Sequence, residues 1–148
     1  MEQDELIAKI NRLYEHRQKL LATGNIAPDG AWIHTYSIYR EFKSGFVGEY
    51  IYGKWQAHEA IFRRSQRPKR KPPIKTGKDP EFTNHQYIGR VGSNTGLGME
   101  PEVEVAYQAE ANRRRLTRID RATREINQIL DLALPDVMPE ETANDITP

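Results

Sequence analysis

The sequence predicts an α+β fold: an N-terminal helix, an antiparallel sheet of three or more strands with a basic loop insertion, a long C-terminal helix and a disordered acidic tail. Three features lead there. Apolar residues recur three and four apart near both ends, aromatic and β-branched residues alternate in the middle, and glycine-bearing turns separate the middle segments. At 148 residues the chain suits one compact body, expected over 1–134, with a tail over 135–148.

Taken in order, residues 4–23 place Leu6, Ile7, Ile10, Leu13, Tyr14, Leu20 and Leu21 on one helical stripe, which Gly24 stops. Asn25 to Gly30 is turn chemistry, with Pro28 restricting one backbone angle and Gly30 free to adopt a positive φ. Trp32 to Arg40 reads as a strand with Trp32, His34, Tyr36 and Ile38 on one face and Ile33, Thr35, Ser37 and Tyr39 on the other. Lys43-Ser44-Gly45 supplies a hairpin turn, and Val47 to Trp55 is the returning strand, with Gly53 a candidate bulge. Beyond it, Ala57, Ile61 and Phe62 either extend that strand or start a third.

Residues 63–80 are rich in proline and basic side chains, which predicts a mobile basic loop. His85 to Val91 is a further short strand, closed by a glycine-rich turn over 92–98 that lacks the spacing of a phosphate-binding loop. The last helix begins near Pro101 with Glu102 and Glu104 in its acidic first turn. Its seam runs through Leu116, Ile119, Thr123, Ile126, Leu130 and Ala133 until Pro135 ends it. One or both helices should cover one sheet face, or the seam should pair with a second copy in a homodimer.

A formal net charge of +1 conceals a regional imbalance. Residues 1–59 carry −1, residues 60–125 carry +7, and residues 126–148 carry five acids and no base. The positive charge is concentrated in Arg63, Arg64, Arg67, Lys69, Arg70, Lys71 and Lys75, and again in Arg113, Arg114, Arg118 and Arg121. Such clusters suit a polyanion, because neutralising phosphates releases condensed counterions.

Several function classes lose their footing. With no cysteine there is no disulfide scaffold, thiolate zinc site or thiol nucleophile. His16, His34, His58 and His85 share no ligand spacing, and Glu49, Glu59 and Asp79 form no required metal set, so neither metal nor cofactor is expected. No serine lies in a nucleophile-elbow pattern, and no run reaches the roughly 20 apolar residues of a membrane span. The N-terminus lacks the order of a signal peptide, and a cytoplasmic location is the expectation.

Seven of the thirteen aromatic residues fall on expected strands. If Ile51 and Trp55 lie beneath the helices, Tyr50, Tyr52 and Lys54 are displayed on the opposite face, beside Arg40 or Arg90. Tyrosine also suits a half-buried strand without any ligand, so the pattern admits both readings. The succession Tyr39-Arg40, a glycine turn, Tyr50-Ile51-Tyr52-Gly53-Lys54, Tyr87-Ile88-Gly89-Arg90 and a helix resembles the small sheet-plus-helix DNA-binding modules of tyrosine recombinases. It is also similar to short Tyr-rich proteins of mobile elements. The resemblance spans about residues 31–130 and implies a sheet that reads DNA without performing catalysis.

The expectation is therefore a non-enzymatic nucleic-acid-binding protein, with DNA favoured over RNA and duplex DNA the favoured form. The basic clusters would hold phosphates, while Tyr50, Tyr52 and Lys54 would supply specificity. The rival is a protein–protein adaptor that docks or dimerises through Ile119, Ile126 and Leu130. A third expectation has the acidic tail competing with nucleic acid for the basic region.

Overall fold

The computed structural model describes residues 2–64 and 81–134. Its elements are α1 (Glu2–Ala22), β1 (Ala31–Glu41), β2 (Val47–Ala57), β3 (Phe62–Arg63), β4 (Phe82–Thr83), β5 (His85–Ser93) and α2 (Pro101–Ala133). This is the expected α+β class. Two compact units share it: residues 2–24 with 114–134, and residues 25–113.

In the unit of residues 25–113, β1, β2 and β5 form an antiparallel sheet with β2 at its centre. The β1–β2 hairpin turns through Gly45, whose φ of 86° favours glycine. Register between β2 and β5 shifts at Ile51/Tyr52 and at Gly53/Lys54; the extra residues, Val91 and Ile88, lie in β5, while Gly53, expected to mark a bulge, stays in regular register with β1. The stretch after Ala57 neither extends β2 nor adds a strand to this sheet. It forms β3, which pairs with β4 in a separate two-stranded ribbon.

That ribbon also corrects the start of the basic loop. Arg63 pairs with Phe82, and the Arg64 amide donates to the Glu81 carbonyl at 2.8 Å, so both arginines belong to ordered backbone. The rest of the expected loop, 65–80, and the expected acidic tail lie outside the described residues.

The first half of α2 covers one face of the sheet. Pro101 opens the helix, where its missing N–H goes unused by the helical ladder. Val103 is fully buried, and Ala106 and Ala109 follow it inward at helical spacing. Gly89 explains how the helix approaches so closely: a Cβ there would stand 3.2 Å from Val103 Cγ2 and 2.6 Å from Glu100 Oε2. Residues 25–27 are stitched to the same helix. Ala27 N donates to the Ala109 carbonyl at 3.1 Å, and the buried Asn112 donates through Nδ2 to the Asn25 carbonyl at 3.0 Å. Asn112 Oδ1 accepts from Gln108 Nε2, so the one buried polar side chain among the described residues is satisfied.

In the unit of residues 2–24 and 114–134, α1 has an acidic first turn and Lys19 in its last, as the helix dipole favours. Gly24 ends it at φ 64°. Ile10, Leu13 and Leu20 are half-buried, Leu116 is buried, and Arg17 Nε donates to Asp120 Oδ1 at 2.9 Å. The seam of α2 loses cover toward its end, through half-buried Ile126 to exposed Leu130.

Candidate nucleic-acid interface

Alternation along a strand and pairing across strands together decide which residues share a face. Ile33 pairs with Trp55, and Gly53 with Gly89, on the face that α2 covers. On the other face Tyr36 pairs with Tyr52, Ile38 with Tyr50, and His34 with Lys54. In β5 the irregular register brings Tyr87 opposite Lys54 and Arg90 opposite Tyr52, so both join that second face although they are three residues apart.

The result is a sorting of charge across the sheet. All three Lys and Arg residues of the three-stranded sheet, Arg40, Lys54 and Arg90, fall on the open face by register, whereas both of its acids, Glu41 and Glu49, fall on the other. Glu49 is held there by Ser37 Oγ at 3.0 Å and the Tyr39 hydroxyl at 3.3 Å. Arg90 is restrained at the sheet edge, donating from Nε to the Gly98 carbonyl and lying 3.4 Å from Glu100.

At the centre of the open face three tyrosines form a row. The Tyr36 and Tyr52 ring centroids are 6.0 Å apart and those of Tyr52 and Tyr87 are 6.1 Å apart, with interplanar angles of 32° and 48°. Lys54 Nζ lies 5.5 Å from the Tyr36 centroid, within cation–π range. Tyr87, on the edge strand, is 58% exposed. Its phenol is nevertheless raised above the ordinary 10.0, first by partial burial and then by the charge of Glu100 and its neighbours Tyr52 and Tyr36, with Arg90 opposing. At one end of the face Trp32 lies against His58 at 4.9 Å. At the other, Arg40 lies over Phe42, which stacks on Phe46 across the hairpin tip.

The expected site residues divide into several groups. Tyr50, Tyr52 and Lys54 share the open face. Arg63 is exposed, while Arg64 Nε donates to the Phe82 carbonyl at 3.4 Å. Arg67, Lys69, Arg70, Lys71 and Lys75 lie outside the described residues. Arg113 is occupied structurally, donating to the Ala27 carbonyl at 2.7 Å, so its role is to hold the 25–27 segment. Arg114, Arg118 and Arg121 are exposed and share one side of α2 through their four- and three-residue spacing.

Tyr36 and Tyr87 were not among the residues singled out from sequence, yet they complete the row. For Tyr36 a signal existed: it and Tyr52 are equidistant from Ser44, the centre of the turn, and a regular hairpin must pair them. Tyr87 reaches the row through an irregular register that alternation does not foresee.

Among the described residues no three His, Cys, Asp or Glu side chains cluster as metal ligands, and no helix is long and apolar enough to cross a membrane. A groove of about 410 Å³ lies between the 25–28 segment, β5 and the first half of α2, with Ile26, Trp55, Ile88 and Val105 in its lining. Comparison with protein-family models, with curated proteins and with solved structures finds no match to this chain.

Proposed function

We propose that this chain is a non-enzymatic nucleic-acid-binding protein whose ligand lies on the open sheet face. The observation that carries the reading is the charge sorting: the open face combines tyrosines with Lys54, Arg40 and Arg90 and bears neither of the strand carboxylates. Aromatic side chains beside cations suit a phosphodiester chain, since rings stack on bases while cations neutralise phosphates. Arg63 is a further cation for the backbone, and the basic residues 67–75 and the Arg114, Arg118 and Arg121 stripe extend the supply. Composition and the resemblance to recombinase modules point to duplex DNA, whereas the aromatic row points to an unpaired strand.

A second reading has support from the helical unit. Leu6, Ile7 and Tyr14 of α1 and Ile129, Leu130 and Leu132 of α2 are exposed apolar side chains, as an adaptor or a homodimer would need. The two readings differ in their response to salt.

The test is fluorescence anisotropy of the whole chain against labelled nucleic acids across a salt series. Nucleic-acid binding should weaken with a log–log slope of several units. Reversing the charges of Arg67, Lys69, Arg70 and Lys71 should weaken it for every sequence alike. Equal affinity of the reversed protein at low salt would sink the phosphate-binding role of those residues. Absence of binding to any nucleic acid, together with salt-insensitive self-association or partner binding lost on Ile126→Asp, would favour the adaptor.

A further inference from the structure

We infer that the open face takes an unpaired strand rather than a duplex, with successive bases laid on Tyr36, Tyr52 and Tyr87 in a path that crosses β1, β2 and β5. This rests on the nucleic-acid reading above and names the form of the ligand. Ring spacing is the first argument. The centroids are 6.0 and 6.1 Å apart, whereas consecutive bases on one strand of a duplex advance by about 3.4 Å. A row spaced at nearly twice that step matches bases that have been pulled out of their stack. Access is the second. Paired bases offer a protein their edges in the grooves, with their faces covered by the neighbouring pairs, so tyrosine faces have nothing to stack on in an intact duplex.

The placement of charge is the third argument. Lys54 lies beside the row, opposite Tyr87 in the register and 5.5 Å from the Tyr36 centroid, where it can meet one phosphate between stacked bases. Arg90 is already engaged by Glu100 and the Gly98 carbonyl. The centre of the face thus offers the exposed Tyr87 ring, continued by the half-buried rings of Tyr52 and Tyr36, and few uncommitted cations, a balance suited to base stacking more than to straddling two charged backbones.

The experiment measures anisotropy at a low and at a moderate salt concentration with a 12-nucleotide oligo-dT, a 12-nucleotide oligo-U and a mixed-sequence 12-base-pair DNA duplex, each labelled at one end. The proteins are the full chain, Tyr87→Phe, Tyr87→Ala and Tyr87→Leu, with thermal melts run alongside. Tyr87 is exposed, so its variants should melt with the parent; Leu keeps bulk while removing the π face. The parent should favour the single strands over the duplex by about tenfold or more. Tyr87→Phe should keep that preference, whereas Tyr87→Ala and Tyr87→Leu should each lose about tenfold on single strands and leave duplex binding unchanged. Comparison of oligo-dT with oligo-U separates DNA from RNA as the source.

Duplex affinity equal to or above single-strand affinity, or an equal loss on both forms, would overturn the inference while leaving nucleic-acid binding intact. Unchanged single-strand affinity in Tyr87→Leu would overturn it as well. No binding to any of the three oligomers at low salt would overturn both readings together.

Discussion

Of the two faces of the three-stranded sheet, one is covered by the first half of α2 and the other is left open by the described residues, and their side chains differ accordingly. The covered face is built around small groups, Gly89 meeting Val103 and Gly53 lying beside Val91 and Ile33, with Ala106 and Ala109 on the helix. The open face holds Tyr36, Tyr50, Tyr52 and Tyr87. Large aromatic side chains ordinarily supply a core with its greatest buried area. Here the close approach of the helix at Gly89 leaves no room for a ring beside Val103; Trp55 shares that face, while four tyrosines fall on the other. On that face Tyr87 is exposed and Tyr36, Tyr50 and Tyr52 are half-buried, with Lys54 beside them.

The comparison breaks most visibly on the covered side. Gly89→Val forces a branched side chain against Val103 and Glu100, and should destabilise by about 2–3 kcal/mol, read as a melting point lower by roughly 10 °C. An unchanged melting point would mean that the helix is not seated on Gly89.

Next in size is a paired test of the charge sorting. Lys54→Gln should leave the melting point nearly unchanged, lower affinity about uniformly across sequences and reduce the log–log salt slope by about 1. Glu49→Gln, on the other face, should leave that slope where it was. Equal effects from the two variants would remove the distinction between the faces.

The smallest effect is the ionisation of Tyr87. Ultraviolet difference titration of the parent against Tyr87→Phe should isolate one phenol titrating above 10.0, and a midpoint at or below that value would contradict the environment described. A raised value means that the folded chain keeps this proton where the unfolded chain releases it. Stability from the neutral phenol is therefore present below pH 10 and lost as pH rises through the raised value. Exposure keeps that contribution small.

Much of this architecture was legible beforehand. The α1 helix, the Gly24 stop, the hairpin about Ser44 and the proline at the start of α2 all express local chemistry, for which spacing and backbone freedom suffice. The site was legible only in part. Tyr50, Tyr52 and Lys54 follow from alternation within one strand, but the role of Arg113 does not, because a charged side chain in a basic run gives no local sign that it will reach the Ala27 carbonyl. Arg63 and Arg64 look like the start of a loop because their β pairing depends on Glu81 and Phe82, which lie beyond the proline-rich stretch.

By itself, then, the sequence determined the two helices, the three strands of the larger sheet, their order, the turns between them and the regional charge, all of which depend on neighbours within a few positions. Only the tertiary structure decided which sheet face α2 covers and that Tyr36, Tyr52 and Tyr87 stand in one row. Those outcomes depend on cross-strand register and on the lack of a side chain at Gly89, and both act between residues far apart in the chain.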